Sequence, residues 1–112
     1  MMPMPPPNAI LADLAAVLGD DNVRALVRTF LRDFPVSFKE LNGGDRNNRH
    51  RLAHSMKSSS RLMGALALSQ RMADIEMRLS EDSDRDVTPH DLAKIATEFE
   101  AIAPPLRQFA GD

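Results

Sequence analysis

The stretch Arg49-His50-Arg51-Leu52-Ala53-His54-Ser55-Met56-Lys57-Ser58-Ser59-Ser60-Arg61-Leu62-Met63-Gly64-Ala65 decides how this chain is read. On a helix that turns by about 100° per residue, Leu52, Met56, Ser59 and Met63 form one stripe for the core, and His54 points away from it. His50, His54, Lys57 and Arg61 recur at intervals of four, three and four, so they share the opposite face. Ser58 follows His54 by one turn, and Arg51 flanks the other side. A histidine turned outward among cations and small residues is placed to meet something arriving from solution.

Working outward, amphipathic segments follow one another with short breaks, and no strand-like alternation competes with them. The first opens at Asn8, a potential N-cap, carries Ile10, Leu11, Leu14, Val17 and Leu18, and stops at Gly19. The second opens at Asp20 or Asp21 and places Val23, Leu26, Val27, Phe30, Leu31 and Phe34 in helical phase. Phe38 and Leu41 keep that phase beyond Pro35, which predicts a kinked helix rather than an end. Asn42-Gly-Gly-Asp45 reads as a loop whose last residue caps the histidine-bearing helix, roughly 46–63. Gly64 ends or bends that helix. A fourth helix shows Leu68, Met72, Ile75 and Leu79, and the acidic stretch 80–86 reads as a solvated loop.

Thr88-Pro89-His90-Asp91 has the signature of a helix start: a hydroxyl at the N-cap, proline in the first turn and an acid three residues on. The fifth helix presents Leu92, Ile95, Ala96, Phe99 and Ile102. Pro104-Pro105 is expected to stop or sharply kink it, leaving Leu106 and Phe109 as a short tail. Short connections make consecutive helices antiparallel. The expected fold class is therefore all-α, an antiparallel up-down four-helix bundle with a short additional N-terminal helix. Residues 1–7, Met-Met-Pro-Met-Pro-Pro-Pro, read as a flexible Pro-rich arm, and 8–112 as a single domain.

The 112 residues suffice for one compact core, and the formal net charge of −2 means that any positive patch is local. Cysteine is absent, which removes disulfides, thiolate metal sites and cysteine nucleophiles, and fits a cytoplasmic setting. The start has neither the basic end nor the long apolar run of a secretory signal, and nowhere do about 18 or more apolar residues run together, so no membrane span is expected. With no Trp or Tyr, the core falls to Leu, Ile, Val, Met, Ala and a few Phe.

The chemistry of the outward face is that of a nucleophile. Neighbouring cations disfavour imidazolium, biasing His54 toward the neutral form, whose bare ring nitrogen attacks electrophiles. A phosphoryl group arriving there finds Lys57 close enough to share the charge on its oxygens, and phosphoryl transfer needs mainly positioning and charge stabilisation. Small residues at 55, 58, 59 and 60 allow another protein surface to come close.

Ala53-His54-Ser55-Met56-Lys57-Ser58-Ser59-Ser60, followed by Met63-Gly64-Ala65, resembles the signature of histidine-containing phosphotransfer (HPt) domains: Ala-His-x-Leu-Lys-Gly-small-small, then apolar-Gly-Ala. The family's apolar-Glu pair on the next helix is matched by Ile75-Glu76. Phe30-Leu-Arg-Asp-Phe34 and the loop ending in Asp45 resemble the family's second helix and its entry to the histidine helix. The resemblance spans roughly residues 10–100. It implies a four-helix bundle with one exposed phospho-accepting histidine, His54, working in a multistep phosphorelay. It implies as partners a response-regulator receiver domain and a hybrid histidine kinase, with Mg2+ in the receiver and no cofactor bound by this chain. Lys57 matches the family's lysine beside the histidine. Ser58, Arg61, His50, Arg51 and Glu76 are the expected receiver-docking residues, Glu76 also orienting the imidazole. Two departures stand out: Ser58 replaces glycine, and Met56 replaces leucine or isoleucine.

Other readings are weaker. His50 and His54 at i and i+4 are half a zinc site, but the face has no third ligand and Lys57 and Arg61 oppose a dication, so no metal is expected. His90 reads as ordinary surface. Asp82, Asp84 and Asp86 mimic the opening of a calcium loop, yet Val87 replaces the turn glycine and Ala93 the closing acid. No nucleotide-binding glycine motif occurs, so autophosphorylation from ATP is not supported. Nucleic-acid binding is opposed by the acidic balance and the absence of stacking Tyr or Trp. A monomer is expected. The alternative function is a helical interaction module that binds a receiver or kinase domain without being phosphorylated, a reading favoured by Ser58.

Overall fold

Asn8, Asp45 and Thr88 each start a helix by the same device, a side-chain oxygen that accepts from an otherwise orphaned amide of the first turn. The amide of Leu11 donates to Asn8 Oδ1 at 2.9 Å, that of Asn48 to Asp45 Oδ1 at 2.8 Å, and that of Asp91 to Thr88 Oγ1 at 3.1 Å. Asp91 answers Thr88 by accepting from its amide at 2.8 Å, which completes a capping box. These starts belong to α1 (Ala9–Leu18), α3 (Arg46–Leu62) and α5 (Pro89–Ala110); α2 (Asp20–Leu41) and α4 (Leu66–Ser80) complete the set. The computed structural model describes residues 4–80 and 85–111, and no strand occurs among them. The expected acidic loop and the rejected calcium-like site fall largely on residues 81–84, outside the described residues.

Helices α2 to α5 form a ring in which each touches its neighbours in sequence and α2 closes against α5, the contact pattern of an up-down bundle. The most extensive contact joins α3 to α4, which sets the register of the site described below. The core is aliphatic with one aromatic cluster: Phe34 stacks on Phe99 at 4.7 Å between centroids, and Phe30 leans on both. Leu11, Val23, Val27, Leu41, Met72, Ile75 and Ile95 are fully buried.

Helix α1 packs on α2 and seals the end of the bundle where α3 turns into α4. Asn8 Nδ2 donates to Met63 O at 2.9 Å, and the Asn8 side chain fills the space that a Cβ on Gly64 would need. Gly64 has a φ of +77°, which side-chain-bearing residues rarely adopt. Glycine is thus required here twice over, by backbone and by neighbour.

Two expectations need correction. Pro104 and Pro105 do not stop the last helix, and Leu106 and Phe109 are buried members of α5 rather than a loose tail. The carbonyls those prolines leave without a donor belong to Glu100 and Ala101. All four residues lie on the exposed face, so water satisfies what the ring nitrogens cannot. Pro35, also exposed, is likewise carried inside a continuous α2, as its phase predicted. The second correction concerns the phase of α3. Its buried residues are Ala53, Met56 and Ser60, followed by Met63, while Leu52 and Ser59 are half-buried flanks. The core arc is rotated by a fraction of a turn because α3 is gripped from two sides, by α2 and by α4.

Candidate functional site

That rotation leaves His54 where the helical phase put it, on the outer surface at mid-helix, with 60% of its side chain exposed. The ring does not stand unsupported. Its Nδ1 donates to Glu76 Oε2 on α4, and Lys57 Nζ donates to the other oxygen, Glu76 Oε1, at 2.5 Å. One carboxylate therefore ties together two side chains that are one turn apart on α3. The pairing follows from the α3–α4 register: the Ser69 hydroxyl donates to Lys57 O at 3.0 Å, locking the two backbones one turn below.

Glu76 is only 16% exposed. Burial alone would push its carboxyl up, but the hydrogen bonds from Lys57 and His54, with the charges behind them, outweigh it and hold the group below the ordinary carboxylate value. Near neutral pH it is an anion with both oxygens engaged. The formal charge nearest the ring is thus negative, whereas helical spacing on α3 points only to cations and Glu76 follows from the family resemblance. A carboxylate accepting from Nδ1 selects the tautomer with its lone pair on Nε2. Nε2 makes no hydrogen bond among the described residues.

The other expected residues are distributed around this triad. Lys57 is present beside the histidine but committed to Glu76, not free. Ser58 and Arg61 are exposed and line a recess between α3 and α4 together with Leu66, Ser69, Gln70 and Ala73. Arg51 is exposed one turn before His54, and His50 is half-buried; neither makes an ion pair or a side-chain hydrogen bond among the described residues. His90 is exposed at the start of α5, remote in the chain from this face. Among the described residues no group of His, Cys, Asp or Glu is arranged to hold a metal ion.

Two features escaped the sequence. One is the Ser69 lock, invisible because a serine on a helix carries no signal of its partner. The other is a mainly apolar cleft on the α2 side of the histidine ridge, bounded by Leu26, Phe30, Ser55, Ser59 and Leu62. Leu26 and Leu62 are both more than one-third exposed there, and they were the available signal: large apolar residues at the margins of their helical stripes. No helix of the described residues is long and apolar enough to cross a membrane.

Comparison with curated proteins and with solved structures gave no match. A family model for the Hpt domain matches residues 10–104, nearly the whole chain, and takes in the bundle, His54, Lys57 and Glu76. The chain therefore belongs to the Hpt domain family, whose members carry out phosphotransfer in phosphorelays and interact with receiver domains of response regulators and with kinases.

Proposed function

We propose that this protein is a phosphorelay intermediate in which His54 accepts a phosphoryl group from the aspartate of one receiver domain and passes it to another. The observation that carries the reading is the exposed His54 ring held at Nδ1 by the half-buried Glu76 carboxylate, with Nε2 free of hydrogen bonds among the described residues. In the forward step the Nε2 lone pair forms the N–P bond while the aspartyl O–P bond breaks, its electron pair returning to the aspartate carboxylate. The ring, still protonated at Nδ1, becomes cationic, and Glu76 faces the developing charge. Positioning by a preformed hydrogen bond is what this chemistry asks of the protein.

Lys57, one turn from His54 and paired with Glu76, shares the charge on the phosphoryl oxygens as the group arrives. Ser58, Arg61, Arg51 and His50 surround the ring as the docking surface. Mg2+ is supplied by the receiver, and this chain works as a monomer without a cofactor, in the cytoplasm with its kinase and regulators. The test is to mix the protein with phosphorylated receiver domains and follow label. Acid-labile phosphate should appear on the wild type and be lost in His54→Gln; uptake by His54→Gln at the wild-type rate would sink the assignment.

A further inference from the structure

Helix α3 carries Arg46, Arg49, Arg51, Lys57 and Arg61 and not one acidic residue, although the whole chain is net negative. Most of these charges are already used within the fold. Arg46 binds the carbonyls of Leu79 and Arg78, Arg49 pairs with Asp86 at 2.5 Å, and Lys57 pairs with Glu76. Arg51 and Arg61 are both exposed and without an ion pair or side-chain hydrogen bond among the described residues, but only Arg61 forms the rim of the α3–α4 recess. The recess has a volume of about 370 Å3 and no carboxylate in its lining; its polar groups are Lys57, Ser58, Arg61, Ser69 and Gln70.

Arg61 lies seven residues beyond His54, about 10 Å along the helix at 1.5 Å per residue. A surface large enough to present an aspartyl phosphate to His54 Nε2 therefore also covers the recess. We infer that the recess is a second contact, in which an acidic side chain of the docked receiver domain, outside its phosphorylation pocket, pairs with Arg61. This rests on the phosphorelay reading above and deepens it: Arg61 selects among receivers by the charge at one edge of their docking face. A guanidinium meets a carboxylate through two parallel hydrogen bonds, and the Ser58 hydroxyl stands beside it as a neutral donor. Being on the rim, such a pair governs encounter and affinity rather than the chemical step.

The experiment uses the full chain and, among the receiver domains of the source organism, the one that binds it most tightly. Arg61→Gln, Arg61→Glu and a control of equal charge change, Arg107→Glu, are compared; Arg107 lies at the cleft between α2 and α5, away from α3. Arg61→Gln should raise KM about twofold to fivefold and Arg61→Glu about tenfold at low salt, with both converging on wild type as salt rises. The transfer rate at saturating receiver should stay unchanged, and Arg107→Glu should behave as wild type throughout. If Arg61→Glu leaves KM and its salt dependence at the wild-type values, or changes them no more than Arg107→Glu does, the second contact does not exist. Wild type that never becomes labelled on His54 defeats the phosphorelay reading instead. Binding titrations of the same receiver against the same variants then still decide the recess, because selective weakening by Arg61→Glu supports it and equal binding overturns it.

Discussion

Replacing Glu76 by Ala removes one carboxylate and two contacts at once, and its effect follows from the geometry. A hydrogen bond to a charged group is worth about 1.5–3 kcal/mol when well shielded. The Glu76 end is largely buried, but the His54 ring is 60% exposed, so water replaces part of what is lost. About 1–1.5 kcal/mol then remains as the loss at the transition state, equal to roughly a fivefold to twelvefold slower chemical step. Glu76→Gln keeps the size of the side chain and a carbonyl that accepts from Nδ1, so only the charge is missing, and a loss of about threefold is expected. Single-turnover rapid quench with saturating phosphorylated receiver reads this step apart from docking. Circular dichroism should show both variants fully helical. If Glu76→Ala transfers at the wild-type rate while folded, the carboxylate neither sets the tautomer nor steadies the cationic ring, and the mechanism above is wrong at its centre.

Three further expectations concern the frame that holds the site. Arg78 beside Asp91, opposed by burial and helped by the amide and hydroxyl of Thr88, holds the Asp91 carboxyl down at about 2 from an ordinary 3.8. The folded value is depressed, so the stabilisation is complete above the ordinary value and is lost as pH falls toward about 2. Asp91→Asn should thus lower stability at neutral pH by roughly 2 kcal/mol, with the gap to wild type closing between about pH 4 and 2; a gap independent of pH would refute the assignment. Ser60 is fully buried and its hydroxyl has no hydrogen-bond partner among the described residues, so Ser60→Ala should stabilise by about 1 kcal/mol, and a lowered Tm would show a missed contact. Gly64→Ala must both strain a left-handed backbone and displace Asn8 from its cap, which should cost roughly 2–3 kcal/mol and lower Tm by about 10 °C or more; an unchanged Tm would refute the latch.

Much of the fold could be read from the chain because its local signals agree with its global arrangement. Asn8, Asp45 and Thr88 announce helix starts through capping chemistry that needs no tertiary information, and each caps a helix. The phase of α3 was less legible. Ala53 and Ser60, which form its deepest face, carry little hydrophobic signal, so periodicity alone favours a stripe through Leu52 and Ser59 instead. The double proline misled because the local penalty is real, yet its consequence depends on which side of the helix faces water. His54 and Lys57 could be placed on one face by helical spacing alone. Glu76 could not, since it lies 22 residues from His54 and meets it only through the antiparallel register of α3 and α4. For that residue the family resemblance supplied what periodicity lacks.

The most direct measurement is nitrogen–phosphorus correlation by NMR on protein labelled with 15N in its histidines, recorded after phosphorylation by a receiver domain. A single phosphorus coupling to Nε2 of His54, with Nδ1 still protonated, is the expected result. Coupling to Nδ1, or phosphorus on any residue other than His54, would contradict an imidazole held by Glu76 with its lone pair toward solvent.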